Sequence, residues 1–285
     1  MSPLLATDER KRLDYALDTW QKWPINLVGP PKLVKPLNKG TTNNSYLVEV
    51  RSPRSLKRSA CGLAVERFGV RINSNQSKEL GIDRDWELEL LRALAPLNIS
   101  PKLLHDDRNL NFCVFSYVEG RVWSRHDLTR LSQRERLKEV VNRIQHIRVE
   151  ASRFNYLKHL TGYALELEKR HIQLAKEKQL AFNEFLQQLE EFMEGSWQPV
   201  LCHHDLIPEN ILETDNGLFL LDWEYSGLGH PEFDLRYLGY CFNANIDESA
   251  GFLLKGDIID KLIYWLVTLW QKLNEKSEST SSRLI

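Results

Sequence analysis

Two spacings of apolar residues divide this chain. Leu13, Ala16, Leu17 and Trp20 recur at helical spacing and predict an amphipathic helix over residues 7–20. Pro24, Pro30, Pro31 and Pro36 then forbid helix, because each fixes φ and lacks a backbone N–H. Tyr46, Val48 and Val50 alternate with polar or small neighbours, as do Phe68, Val70 and Ile72, which is the period of half-buried strands. The basic run between them, Arg51 to Arg58, reads as a solvated connection rather than a binding patch. Asp83 is placed to cap a helix running to about Ala95, with Leu88, Leu91 and Leu94 inward and Pro96 and Pro101 ending it. Phe112 to Val118 is a short apolar strand, and Gly120 punctuates it.

Beyond Gly120 the pattern turns helical. Ser132 and Glu135 form a capping box ahead of Leu137, Val140, Val141 and Ile144. Helical spacing continues from Tyr156 to about Glu194, and a last apolar helix runs from Ile258 to about Leu273. Between them Val200 and Leu201 end a buried strand. Ile211–Thr214 and Leu218–Leu221 then read as a hairpin turned by Asp215, Asn216 and Gly217, residues that accept positive φ. The polar tail from Glu275 is expected to fray. A sheet with one helix, a short connector and a mostly helical remainder predict an α+β chain in two lobes, with a cleft near Tyr117 to Gly120.

Composition narrows the class. With 285 residues, 42% hydrophobic and 27% charged, the chain can bury a sizeable core. A formal net charge of −1 gives no general attraction to nucleic acid or anionic membrane. The amino-terminal apolar patch is too short for a secretory segment, and no stretch has the length of a membrane span. Cys61, Cys113, Cys202 and Cys241 are scattered and form no CxxC pair, so reduced core residues are expected. Together these predict a cytoplasmic protein; they leave the oligomeric state open.

The chemistry concentrates in HHDLIPEN, His203 to Asn210, followed by Asp222. Folding the hairpin returns Asn210 and Asp222 to within about one residue of opposite register, with Asp205 at the mouth of the same loop. Asp205 suits the role of a base toward an acceptor hydroxyl. Asn210 and Asp222 are oxygen donors of the kind Mg²⁺ prefers. His203 stands where the strand enters the loop and is placed to hold its backbone. Phosphoryl transfer from ATP needs this set: metal on the phosphate oxygens and a carboxylate beside the acceptor. A Walker P-loop is absent, since no GxxxxGK[ST] occurs.

HHDLIPEN followed by LLDWEYSGLGHPEFDL resembles the motif pair of the aminoglycoside phosphotransferase and choline kinase superfamily. The resemblance implies a two-lobed fold similar to that of protein kinases, with an N-terminal antiparallel sheet lobe and a larger, mainly helical C-terminal lobe. The divisions it implies are an N-terminal helix at 1–23, a nucleotide-binding lobe at 24–118, and a catalytic and acceptor-binding lobe at 119–285. It makes Asp205 the catalytic base, His203 the structural histidine, Asn210 and Asp222 the magnesium ligands, and Asp234 a brace. NKGTTNNSYLVEV resembles the nucleotide loop, placing Gly40, Thr41, Thr42 and Asn43 over the phosphates, although the family often has two glycines there. Arg71 stands where many members carry lysine and choline-kinase-like members often carry arginine. Glu87 matches its ion-pair partner, and Phe115 to Val118 lies at the expected adenine hinge. The implied cofactors are ATP and Mg²⁺.

The expected acceptor is the hydroxyl of a small molecule, with choline or a similar cationic alcohol first, thiamine next and aminoglycosides third. Trp223, Tyr225 and Trp123 could hold a quaternary ammonium by cation–π attraction, against a plain packing role. His204 is expected to bond backbone or to lie exposed rather than to act as a catalyst, and His230 has no assigned role. Two other classes stay open: a metal phosphohydrolase using His203, His204, Asp205, Asp222 and His230, and a non-catalytic kinase-like binding module.

Overall fold

The computed structural model describes residues 3–39, 43–52, 64–75, 77, 80–107, 112–243 and 256–274. The chain divides into two compact units, residues 1–78 with 83–120 and residues 79–82 with 121–285.

The first unit is a five-stranded antiparallel sheet with two helices. Its strands are β1 (Lys32–Lys39), β2 (Asn43–Ser52), β3 (Ala64–Asn73), β4 (Leu103–Asp106) and β5 (Phe112–Ser116), in the order β1-β2-β3-β5-β4. The alternating positions of β2 and β3 meet in register, Tyr46 opposite Val70 and Val48 opposite Phe68. One face of this sheet is therefore continuously apolar. Leu13 and Ala16 of α1 (Pro3–Asp18) cover it together with Trp23, while Leu17 and Trp20 lie half-buried against the same core. The helix starts earlier than its apolar spacing indicated and stops at Asp18, where Trp20–Lys22 continues as a tighter turn. Pro36 sits inside β1, opposite Tyr46 and between two register shifts. An edge strand tolerates this, because its outer side needs no ladder hydrogen bond. Asp83 caps α2 (Arg84–Leu94) by accepting from the Trp86 N–H at 3.1 Å, and Leu88, Leu91 and Leu94 are buried. β5 ends at Ser116, two residues short of the expected strand.

The second unit is mainly helical: α3 (Leu131–Gln145), α4 (Tyr156–Lys169), α5 (Lys176–Met193), α6 (Phe233–Asn243) and α7 (Ile258–Asn274). Its core joins Leu160, Tyr163 and Leu167 of α4 to Phe182, Phe185 and Leu189 of α5, and to Ile259, Leu262, Ile263 and Trp265 of α7. The expected Ser132 capping box does not form. Residues Arg125–Thr129 make a short helical turn capped by Ser124 and Asp127, so α3 begins behind it at Leu131 and Ser132 lies inside the helix. The helical pattern from Tyr156 is interrupted after Lys169, where His171 takes a left-handed φ of 56°.

Two small sheets complete the unit. β6 (Arg121–Val122), β8 (Ile211–Thr214) and β9 (Gly217–Leu220) form one, and β7 (Val200–Cys202) with β10 (Gly227–Gly229) forms the other. In the β8–β9 hairpin the positive φ falls on Gly217 rather than on Asp215 or Asn216. The Thr214 hydroxyl supports this turn by accepting from the Asn216 N–H at 3.1 Å and donating to the Gly217 carbonyl at 3.0 Å. Among the described residues no helix is long and apolar enough to cross a membrane.

Candidate active site

In the second unit, β7 delivers His203 to Asn210 as a loop that closes on the hairpin. Pro208–Asn210 turns tightly, and the Leu221 N–H donates to the Asn210 carbonyl at 2.8 Å. This brings Asn210 beside the residue preceding Asp222. The Asn210 amide nitrogen donates to both the backbone carbonyl and the Oδ2 of Asp205, each at 2.9 Å. Those two bonds fix the amide and turn its carbonyl oxygen the other way, toward what a hard cation would need. Asp222 has φ 60°, a left-handed conformation that costs a non-glycine residue and that aspartate tolerates better than most. The donor set of Asn210 and Asp222, few in number and all oxygen, fits Mg²⁺ with room for phosphate and water.

Asp205 is half-buried. Burial pushes its carboxyl up to about 7, the nearby Glu224 carboxylate adds to this, and the Asn210 amide opposes it. The loop beneath is held by Asp234 on α6. Its carboxylate accepts the backbone N–H of His203 at 2.8 Å and of His204 at 2.9 Å. Burial raises Asp234 to about 6, against those two bonds.

Both histidines are buried and burial keeps them neutral, His203 down at about 4 and His204 at about 3. His203 Nε2–H donates to the Leu221 carbonyl at 2.9 Å, and its Nδ1 accepts from the Asp205 N–H at 3.3 Å. The His204 ring lies between the Tyr225 carbonyl and the Tyr156 hydroxyl. The four ring nitrogens are thus engaged within the protein, which leaves His203 and His204 no nitrogen for the metal of the phosphohydrolase reading. Among the described residues, no group of three or more His, Cys, Asp or Glu side chains gathers as a metal cluster.

Tyr225, one of the aromatic candidates, is joined by two rings that local sequence does not reveal. His159 and Tyr163 of α4 have ring centroids 4.6 Å apart, and His159 meets Tyr225 edge-on at 5.6 Å. Burial and the neighbouring carboxylates of Asp205 and Glu224 raise the Tyr163 and Tyr225 hydroxyls well above the usual phenol range. His159 is held neutral, near 4, by burial. Trp223 and Trp123 are almost completely buried. Trp223 lies against His203 with ring centroids 4.7 Å apart.

The first unit holds a second constellation. Arg71 of β3 grips Glu87 of α2 with both terminal nitrogens, at 2.7 and 2.9 Å, while its Nε donates to Asn73 at 3.0 Å. Arg84, one turn before Glu87 on α2, adds a third bond at 2.7 Å and also reaches Asn43 at 2.8 Å. Burial alone would raise the Glu87 carboxyl, yet the two guanidiniums hold it below the ordinary range. In the sequence, Arg84 is marked by its spacing of three from Glu87 and by no motif. Val118 is half-buried just past the end of β5. Gly40, Thr41 and Thr42, like most of the Arg51 to Arg58 run, lie outside the described residues.

With this geometry in place, comparisons with known proteins add the following. A model of the phosphotransferase enzyme family matches residues 33–258. The protein LicA of Haemophilus influenzae is 49% identical over 55 residues, a match covering 19% of this chain and only 20% of that protein. A LicA homolog of Mycoplasma capricolum is 25% identical over 192 residues, covering 62% of this chain and 73% of the homolog. Among solved structures, choline kinase LicA from Streptococcus pneumoniae superposes with a TM-score of 0.61 at 21% identity, covering 87% of each chain. That likeness shows the kinase-like α+β fold. The family match spans most of the chain, and the chain belongs to the phosphotransferase enzyme family.

Proposed function

We propose that this member of the phosphotransferase enzyme family moves the γ-phosphate of ATP to the hydroxyl of a small cationic alcohol, choline or a close analogue. The observation that carries the reading is the company kept by Asp205. A second buried carboxylate, Glu224, and the Tyr163 and Tyr225 hydroxyls lie within its electrostatic reach, and His159 packs against both tyrosine rings. Carboxylates with aromatic faces suit an organic cation, whose charge they attract without the strong hydration a metal or ammonium would have to lose. The partial likeness to LicA proteins supports the same choice.

Within this reading Asp205 accepts the proton from the substrate hydroxyl as the oxygen attacks phosphorus. A carboxyl lifted to about 7 is a better base than an ordinary aspartate while still ionised in part near neutrality. Asn210 donates to Asp205 and so aims the carboxylate, leaving its own carbonyl and Asp222 to hold the metal. Magnesium, when bound, neutralises charge on the phosphate oxygens. Arg71 supplies a fixed cation for the phosphates, its orientation set by Glu87.

Incubation with ATP, Mg²⁺ and, separately, choline, ethanolamine, thiamine and an aminoglycoside tests this, with products read by phosphorus NMR. A choline monoester is expected as the main product. Phosphorylation of the aminoglycoside alone would overturn the acceptor assignment, and failure to bind ATP would overturn the reaction.

A further inference from the structure

We infer that His204 is a positioning residue: held in the Nδ1–H form between the Tyr225 carbonyl and the Tyr156 hydroxyl, its ring clamps the segment that carries Asp222 and Tyr225 onto the Asp205 loop. The functional consequence rests on the reading of Asp205 and Asp222 given above.

The two adjacent histidines carry their protons on opposite nitrogens. A backbone carbonyl can only accept. His203, facing the Leu221 carbonyl with Nε2, must therefore be protonated there. His204 faces the Tyr225 carbonyl with Nδ1 at 3.0 Å and must be protonated at that atom instead. A neutral ring then leaves Nε2 as an acceptor. The Tyr156 hydroxyl lies 2.8 Å from it, and the same hydroxyl accepts the His230 N–H at 3.0 Å. Having accepted one bond, the hydroxyl directs its single proton to Nε2. Tyr156 thus reinforces the form in which His204 holds Tyr225.

What the rings hold matters. His203 grips the carbonyl one residue before Asp222, and His204 grips the carbonyl three residues after it. Asp222 is the residue in the left-handed conformation, and Tyr225 contributes a ring to the cluster with His159 and Tyr163. The pair brackets the strained segment from both ends. The clamp is built into the surrounding chain as well. His204 itself has φ 63°, and Asp234 accepts its backbone N–H. Gly229 lies where a methyl group would overlap both Nε2 of His204 and the Tyr156 hydroxyl, so the bond between them occupies space that only glycine leaves. Phe154 lies against the ring with centroids 4.2 Å apart.

The clamp demands a donor at the Nδ1 position. Asparagine supplies one and also suits a left-handed backbone. His204→Leu should lower kcat about ten- to a hundredfold, the usual effect of losing a supporting hydrogen bond behind a metal or catalytic group, with the ATP dissociation constant unchanged. A leucine at φ 63° is strained whatever it touches, so His204→Gly, which tolerates that backbone and donates nothing, should lose kcat as well. His204→Asn should restore kcat to within a factor of a few of the original.

The second measurement needs no turnover. Two-bond proton–nitrogen correlation spectra of histidine-labelled protein, with His204 identified by the signal lost in His204→Asn, should show it protonated at Nδ1. In Tyr156→Phe the Tyr225 carbonyl should still hold the Nδ1–H form, with the Nε2 resonance moved toward that of an unbonded acceptor. A His204 ring protonated at Nε2 in the unsubstituted protein would overturn the clamp, as would full kcat in His204→Leu or His204→Gly, or equal losses in the leucine and asparagine variants. A protein that phosphorylates none of the tested alcohols would instead overturn the proposed function, while the nitrogen spectrum still decides the clamp.

Discussion

Replacing Glu87 by glutamine isolates the electrostatics of the first unit. The Glu87 side chain is 0% exposed, those of Arg71 and Arg84 are 8% and 7% exposed, and both guanidiniums bond its carboxylate at 2.7 Å. Glutamine keeps the shape and one acceptor but removes the negative charge, leaving two buried cations facing each other. Breaking a buried ion pair in this way costs about 3–5 kcal/mol, because the remaining charge has lost both water and partner. At an m-value of about 2 kcal/mol per molar, the urea midpoint should fall by roughly 1.5–2.5 M. Glu49→Gln, which removes the partner of exposed Arg67, is the control and should leave the midpoint unchanged. Replacing Arg71, Arg84 and Glu87 together by methionine should recover much of the stability, since the desolvation cost disappears with the charges. ATP affinity should not recover, since Arg71 is gone. A midpoint shift for Glu87→Gln below about 0.5 M, the size expected of a solvated pair, would refute the reasoning.

Asp205→Asn separates chemistry from stability. It should reduce phosphoryl transfer by about 10²–10⁴-fold while sparing ATP binding, as loss of a general base does; unchanged turnover would remove Asp205 from the mechanism. The carboxyl titrates near 7 in the folded protein and near 3.9 in an unfolded chain, so between those values the folded state holds a proton the unfolded state has released. Stability therefore falls as pH rises through that window, by at most roughly 1.4 kcal/mol per unit. In chelator, the variant should be more stable than the original at pH 8, and its advantage should close toward pH 4; a constant difference across that range would contradict the raised carboxyl. Gly229→Ala should cost about 1–3 kcal/mol through overpacking and lower kcat with it, because its methyl must displace Tyr156 or His204. An alanine variant with full stability would show that this space is not needed.

The β8–β9 hairpin was legible because it is local. Asp222 follows Asn210 by twelve positions, the turn chemistry lies between them, and the Leu221–Asn210 bond closes it. The β2–β3 pair was legible for the same reason, its alternation continuing through both strands. β1 was less so, because Pro36 argues against a strand until its edge position is known. β10 is three residues with two glycines and carries no period, and its glycines serve close approach by Phe154, Tyr156 and His204. The aromatic side of the site was hidden for a different reason. His159 and Tyr163 follow helical spacing on α4, and only the packing of that helix brings them to Tyr225. Ser132 and Glu135 satisfied the spacing of a capping box, but the preceding turn capped by Ser124 moved the start of α3 ahead of them.

The central claim is that Asp205 activates the hydroxyl of a cationic alcohol. Its most direct test is the ratio of kcat/KM for choline to that for dimethylbutanol, the neutral carbon isostere of the same shape. Desolvated cation–π attraction is worth about 2 kcal/mol, so choline should be favoured by at least about tenfold. Equal values, or a preference for the neutral alcohol, would contradict the account.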